Sequence, residues 1–218
     1  MSDWQRFFPP GENAVCRSWW VLSRKGTPFL WLPNEAATAR ETLALYSAQS
    51  AVARCWKAGM KLLLRWRLPL VSSQTVTHAI SPEGEFASWV ARLAGGRELP
   101  FWGVFGGNPQ APGRRFLFLL FDPNRKPIIL LKVGLKGEAA TLVRREAAAL
   151  RALPKNLQGG LQMLGLYEGE AGSGLAIPFL PGTSPRTNTP LPALLENWLA
   201  HGSGTMLSEI AGWQAVSH

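Results

Sequence analysis

Between positions 101 and 133 three short apolar runs follow one another, each bounded by turn-forming residues. This punctuation limits the fold more than any other feature of the chain. Phe101-Trp102-Gly103-Val104-Phe105 gives way to Gly106-Gly107-Asn108-Pro109-Gln110-Ala111-Pro112-Gly113. Arg115-Phe116-Leu117-Phe118-Leu119-Leu120-Phe121 stops at Asp122-Pro123-Asn124, and Pro127-Ile128-Ile129-Leu130-Leu131-Lys132-Val133 follows. Aromatic and branched side chains suit a pleated surface, while Gly, Pro and Asn reverse the chain. Apolar runs of this length bounded by such turns predict strands of an antiparallel meander.

The pattern then changes period. From Glu138 to Leu153 the residues Leu142, Val143, Glu146, Ala149, Leu150 and Leu153 recur at three- and four-residue spacing, the signature of an amphipathic helix, and Pro154 stops it. Two further strands are predicted at Leu161–Tyr167 and Gly174–Phe179. Leu180-Pro181-Gly182 opens a loop rich in Pro, Thr and Ser, and a last helix is predicted over Pro190–Ala200. The order β-β-β-α-β-β-loop-α defines an α+β class, with five antiparallel strands and one helix as its centre.

The first 97 residues read as a mixed, helix-rich region. Ser18–Leu22 and Phe29–Leu32 flank a Gly/Pro turn, which predicts a hairpin; helices are predicted from Asn34 to Tyr46, over 50–64 and from Gly84 to Leu93. Arg92 to Pro100, with Gly95-Gly96, is the natural boundary. Three segments result: 1–97, 98–182 and 183–218.

Charge is concentrated at the start. The 218-residue chain has a formal charge of +9, and residues 1–67 hold 10 Lys and Arg against 4 acids. The densest stretch, Arg54 to Arg67, interleaves cations with Trp56, Trp66 and three leucines. As a helix it puts Trp56, Met60, Leu63 and Leu64 on one face, with Arg54, Lys57, Lys61 and Arg65 flanking and opposite. Two readings stand: a solvated face whose aliphatic stems cover the core, or a footprint for an acidic protein or an anionic membrane face. Nucleic acid is not expected, since neither zinc-finger spacing nor an aromatic RNA-binding signature is present.

Composition excludes other classes. Apolar residues make up 46% and charged residues 17%, the reverse of a disordered chain. Two cysteines, Cys16 and Cys55, cannot build a disulfide framework, and a reducing cytoplasm is the expected setting. The three histidines are far apart in sequence, so no metal site is assigned. No run approaches about 18 uncharged apolar residues, and residues 1–17 lack a signal-peptide pattern.

Lys132 is out of place in an aliphatic strand. An ammonium held among aliphatic side chains needs an anionic partner, and Glu146 lies on the apolar stripe of the following helix with the same difficulty. Each answers the other, so a Lys132–Glu146 pair is expected. In a nucleotide site such a pair aims the ammonium at the phosphates.

Here the chain resembles the N-terminal lobe of the protein-kinase-like fold, particularly the aminoglycoside phosphotransferase and choline-kinase families. Leu-Leu-Lys132-Val looks like the strand with the phosphate-contacting lysine, Arg-Arg-Glu146-Ala-Ala-Ala-Leu like the helix that pairs with it, and Leu-Ala-Ile177-Pro178-Phe179-Leu180-Pro181-Gly182 like the hinge. The likeness covers residues 101–200 and implies ATP as ligand. The Pro178 carbonyl would accept from the adenine amino group and the Leu180 N–H would donate. Gly106 and Gly107 would bring backbone close to the phosphates, although the loop departs from G-x-G-x-x-G.

The resemblance also lacks something. Phosphoryl transfer in this fold needs an aspartate base and a metal-binding aspartate. Asp3 and Asp122 are the chain's only aspartates, and residues 183–218 contain none. His201-Gly202-Ser203 has serine where the base would stand. The expectation is a truncated or degenerate phosphotransferase relative, inactive alone. It has no catalytic residue to assign, and Mg²⁺ would enter only with a complete C-terminal lobe. Apolar surface left bare by a missing lobe would favour self-association.

Overall fold

At Lys25 and Gly26 the backbone takes positive φ, 51° and 78°. Such a two-residue turn matches the twist of a hairpin and joins β1 (Val15–Arg24) to β2 (Thr27–Pro33). In this computed structural model, which describes residues 2–66, 74–96, 98–107, 113–153 and 161–182, that hairpin is part of a larger sheet. β1 also pairs with β3 (Gln74–Ile80), and the free edge of β2 pairs with β4 (Phe101–Phe105). From β4 the sheet continues through β5 (Arg115–Phe121) and β6 (Pro127–Leu135). β8 (Gly172–Pro178) lies beside β6, and β7 (Gly165–Gly169) forms the far edge. The order is β3-β1-β2-β4-β5-β6-β8-β7, antiparallel throughout.

The expected five-stranded sheet with one helix, preceded by a helix-rich region, is therefore incorrect. The described residues form an eight-stranded antiparallel sheet with four α-helices. The physical reason is the edge of β4. It is satisfied by β2 through Leu30↔Phe105 and Trp31↔Val104, reinforced by the Gly106 N–H donating to Phe29 O at 2.7 Å. An open row of backbone donors and acceptors invites pairing, and here the N-terminal hairpin supplies it. The helix predicted over Pro190–Ala200 lies outside the described residues, as does the rest of 183–218.

Because side chains alternate along a strand, the sheet has two faces to cover. On one, Trp102, Val104, Phe116, Phe118, Leu131 and Val133 pack against a 3₁₀ turn (Asp3–Phe7) and α3 (Glu85–Leu93). Trp4 is fully buried there, its ring edge-on to Phe8, Trp19, Trp31 and Phe118. The opposite face carries α1 (Ala36–Thr42) and α2 (Ala51–Arg65) over β2 and β4, and α4 (Glu138–Ala152) over β6 and β8. Among the described residues no helix is long and apolar enough to cross a membrane.

The fit of α4 depends on Gly134. A Cβ at that position would strike the Ala139 carbonyl and the Ala140 amide, so only glycine lets the first turn of α4 lie on β6. Gly134→Ala is expected to cost about 2 kcal/mol of stability, read from urea unfolding, because backbone rather than a flexible side chain must yield.

Candidate functional site

Lys132 and Glu146 meet. The Lys132 Nζ donates to Glu146 Oε1, with side-chain exposures of 24% and 28%. The sheet and helix dictate this. Leu130 and Lys132 project from β6 toward α4, where they border the cluster of Val143, Ala147, Leu175 and Ile177. Glu146 lies one turn beyond Leu142 and Val143, on the side of α4 turned to the sheet.

A third group, not anticipated from the sequence, completes the cluster. The Arg115 Nη1 donates to Glu146 Oε2 at 3.1 Å. Arg115 opens β5 opposite Gly134, and Leu117, two residues on, faces Lys132. Arg115 and Lys132 are thus diagonal neighbours on one face, and Glu146 bridges them. One carboxylate for two cations leaves a net charge of +1. The sequence signal lay only in register, which no local pattern supplies.

The glycine loop borders this cluster. Gly107 and Gly113 take φ of 61° and 64°, and a Cβ on Gly113 would collide with Leu142 of α4. The Arg114 Nε donates to Gly106 O at 2.5 Å, and its guanidinium lies 4.9 Å from the centre of the Phe116 ring. Burial lowers the pKa of Arg114, and Asp3 partly offsets this. Gly106 and Gly107 directly follow β4, and Gly113, shortly before β5, lies against Leu142 of α4. Asn108 and Pro109 lie outside the described residues.

The hinge residues are near the other end of β6. Pro178 pairs with Ile129, and the Phe179 N–H donates to Ile128 O at 2.9 Å. Backbone alternation turns the Pro178 carbonyl away from β6, beyond the end of β7. Leu180 is exposed. Three residue steps, roughly 10 Å of strand, take β6 from Ile129 to Lys132, and half-buried Leu130 lies between them. The apolar strip formed by Leu117 and Leu130 can floor a flat ring; the cations at one end can meet an anion.

Clefts lined by described residues open elsewhere. One of about 350 Å³ lies beside Arg17 and Arg125, whose guanidiniums stack on Phe101 at 4.5 and 4.1 Å. Another, of about 460 Å³, adjoins Glu85, Phe86, Lys136 and Tyr167. Compared with protein-family models, curated proteins and solved structures, the chain matches none.

Two expectations follow. Glu146→Gln leaves Lys132 and Arg115 without their shared anion and is expected to cost about 1–2 kcal/mol. Lys132→Gln should cost less, since Arg115 keeps its partner; in urea unfolding, salt should narrow the difference by screening the exposed repulsion. The second concerns Tyr167, whose hydroxyl donates to Glu85 Oε2 at 3.1 Å. Burial, with the Glu85 bond and charge, pushes its pKa up to about 12. The unfolded chain loses this proton first, near pH 10, so stability should fall between about pH 10 and 12 as the unfolded state is favoured. Tyr167→Phe should remove that slope in denaturant titrations across the same range.

Proposed function

We propose that this chain binds a nucleotide through Lys132 and Arg115 and is a degenerate relative of the ATP-dependent small-molecule phosphotransferases. The observation that carries the reading is the ion pair: a cation in an apolar strand, oriented by a helix carboxylate, beside a glycine loop. The ammonium and guanidinium would take the phosphates, Gly106 and Gly107 would allow backbone approach, and Leu117 and Leu130 would lie under the base. The Pro178 carbonyl and the Leu180 N–H would meet the base edge.

Glu146 already serves two cations, and no group of three His, Cys, Asp or Glu side chains that could hold a metal occurs among the described residues. Asp122 Oδ1 accepts from the Lys126 N–H in the β5–β6 turn. Cys16 and Cys55 are free and exposed.

Thermal denaturation with ATP tests this reading. The wild type should gain several degrees at millimolar ATP, and Lys132→Ala and Arg115→Ala should each lose most of that gain while still unfolding cooperatively. No shift in the folded wild type rejects nucleotide binding.

A second reading is carried by α2. Among the described residues Arg54, Lys61 and Arg65 are exposed and form no ion pair with a carboxylate. We infer that this face docks on an acidic surface, of a protein or a membrane.

A further inference from the structure

Around α2 the exposed half divides into two parallel rows. Arg54, Ala58, Lys61 and Arg65 recur at spacings of four, three and four, which places three cations in line. Val52, Cys55, Gly59, Leu62 and Trp66 recur at three, four, three and four, forming a second, apolar row beside it. All nine are exposed: Val52 by 80%, Leu62 by 55% and Trp66 by 69%. The inner face is already occupied. Met60 and Leu64 are buried against Leu22, Leu30, Leu32, Ala39 and Leu43, and the Lys57 Nζ donates to Tyr46 O at 2.6 Å. Ser50 caps the helix by accepting from the Ala53 N–H at 3.1 Å. The outer rows are not needed to hold α2 in place.

The sequence around the helix is equally one-sided. No Asp or Glu occurs from Thr42 through Pro82, while Arg54, Lys57, Lys61, Arg65 and Arg67 all fall inside that span. A merely solvated helix mixes both signs and carries few large apolar groups on its outer side. Here the outer side joins cations of one sign to leucine, valine and tryptophan.

We propose that α2 is a peripheral membrane-binding element that lies along an anionic phospholipid surface. This rests on the second reading above and commits it to one occupant. Arg54, Lys61 and Arg65 would meet lipid phosphates and carboxylates, while Val52, Leu62 and Trp66 enter the boundary between headgroups and acyl chains. Fifteen residues give a footprint about 22 Å long, parallel to the surface. An acidic protein would satisfy the cationic row and leave the apolar row unexplained. A lipid interface takes both, and tryptophan favours that depth.

Vesicle flotation of the full chain decides the matter, with phosphatidylcholine vesicles made with and without phosphatidylserine. The wild type should float with the serine-containing vesicles and remain below with the neutral ones. The variant Arg54→Gln/Lys61→Gln/Arg65→Gln should bind roughly a hundredfold more weakly, from about a fivefold loss per cation. Leu62→Ala/Trp66→Ala, at exposed positions outside the buried cluster, should bind at least about tenfold more weakly at unchanged charge. If the cation variant binds like the wild type, the acidic-surface reading itself falls. If the cation variant loses binding and the Leu62/Trp66 variant does not, attraction by charge alone stands and insertion is overturned. No flotation with either vesicle overturns the membrane assignment, and retention by polyglutamate would then assign the cationic row to an acidic polypeptide.

Discussion

The short junction between β2 and β4 holds the structure together. Only Leu30↔Phe105 and Trp31↔Val104 are in register there, yet three strands lie on one side of it and five on the other. Two residue pairs would be a weak seam if backbone bonds were its sole support. Side chains strengthen it on the α3 side: the Trp19 Nε1 donates to Trp102 O at 3.0 Å, and Trp4 touches Trp19, Trp31 and Phe118 at once. On the other side Thr42 of α1 lies directly over Gly103. Burial of large aromatic rings on the α3 side of the seam lets hydrophobic area do what two pairs of peptide groups could not.

That seam also explains what could be read from the residues and what could not. The turns at Gly26 and at Asp122–Asn124 carry local chemistry, and the strands beside them were accordingly legible, whereas β7 runs from Gly165 to Gly169 and not from Leu161 to Tyr167. β3 was not. Gln74-Thr75-Val76-Thr77-His78-Ala79-Ile80 has few apolar side chains, and as an edge strand it buries only Ile80 fully. A pairing between residues 30–31 and 104–105 leaves no local trace, because neither run records which partner lies on its open edge. A hairpin and a set of helices were therefore visible, while their fusion into one sheet was not.

The cation cluster shows the same division. Lys132 and Glu146 were legible because each breaks an apolar pattern, and burial demands a remedy for both. Arg115 breaks nothing: a cation at the start of a strand is ordinary. It reaches Glu146 because the β5–β6 register sets it against Gly134, whose missing side chain also admits α4. One glycine thus brings helix and guanidinium together.

The charge of the chain follows from this layering. α1, α2 and α4 share one face of the sheet, and α2 contributes four cations and no acid. α4 adds Arg144, Arg145 and Arg151 against Glu138 and Glu146, while α3, on the opposite face, balances Glu85 with Arg92. Among the described residues the helices of that face therefore carry a net positive charge, while α3 is neutral. Such a field attracts anionic molecules toward the helical layer before any contact forms, and salt would weaken that attraction within a Debye length of about 10 Å. Lys132, Arg115 and the outer rows of α2 belong to this layer. The N-terminal strands thus do more than extend a sheet: they supply the platform on which the most cationic helix faces the same way as the ion pair.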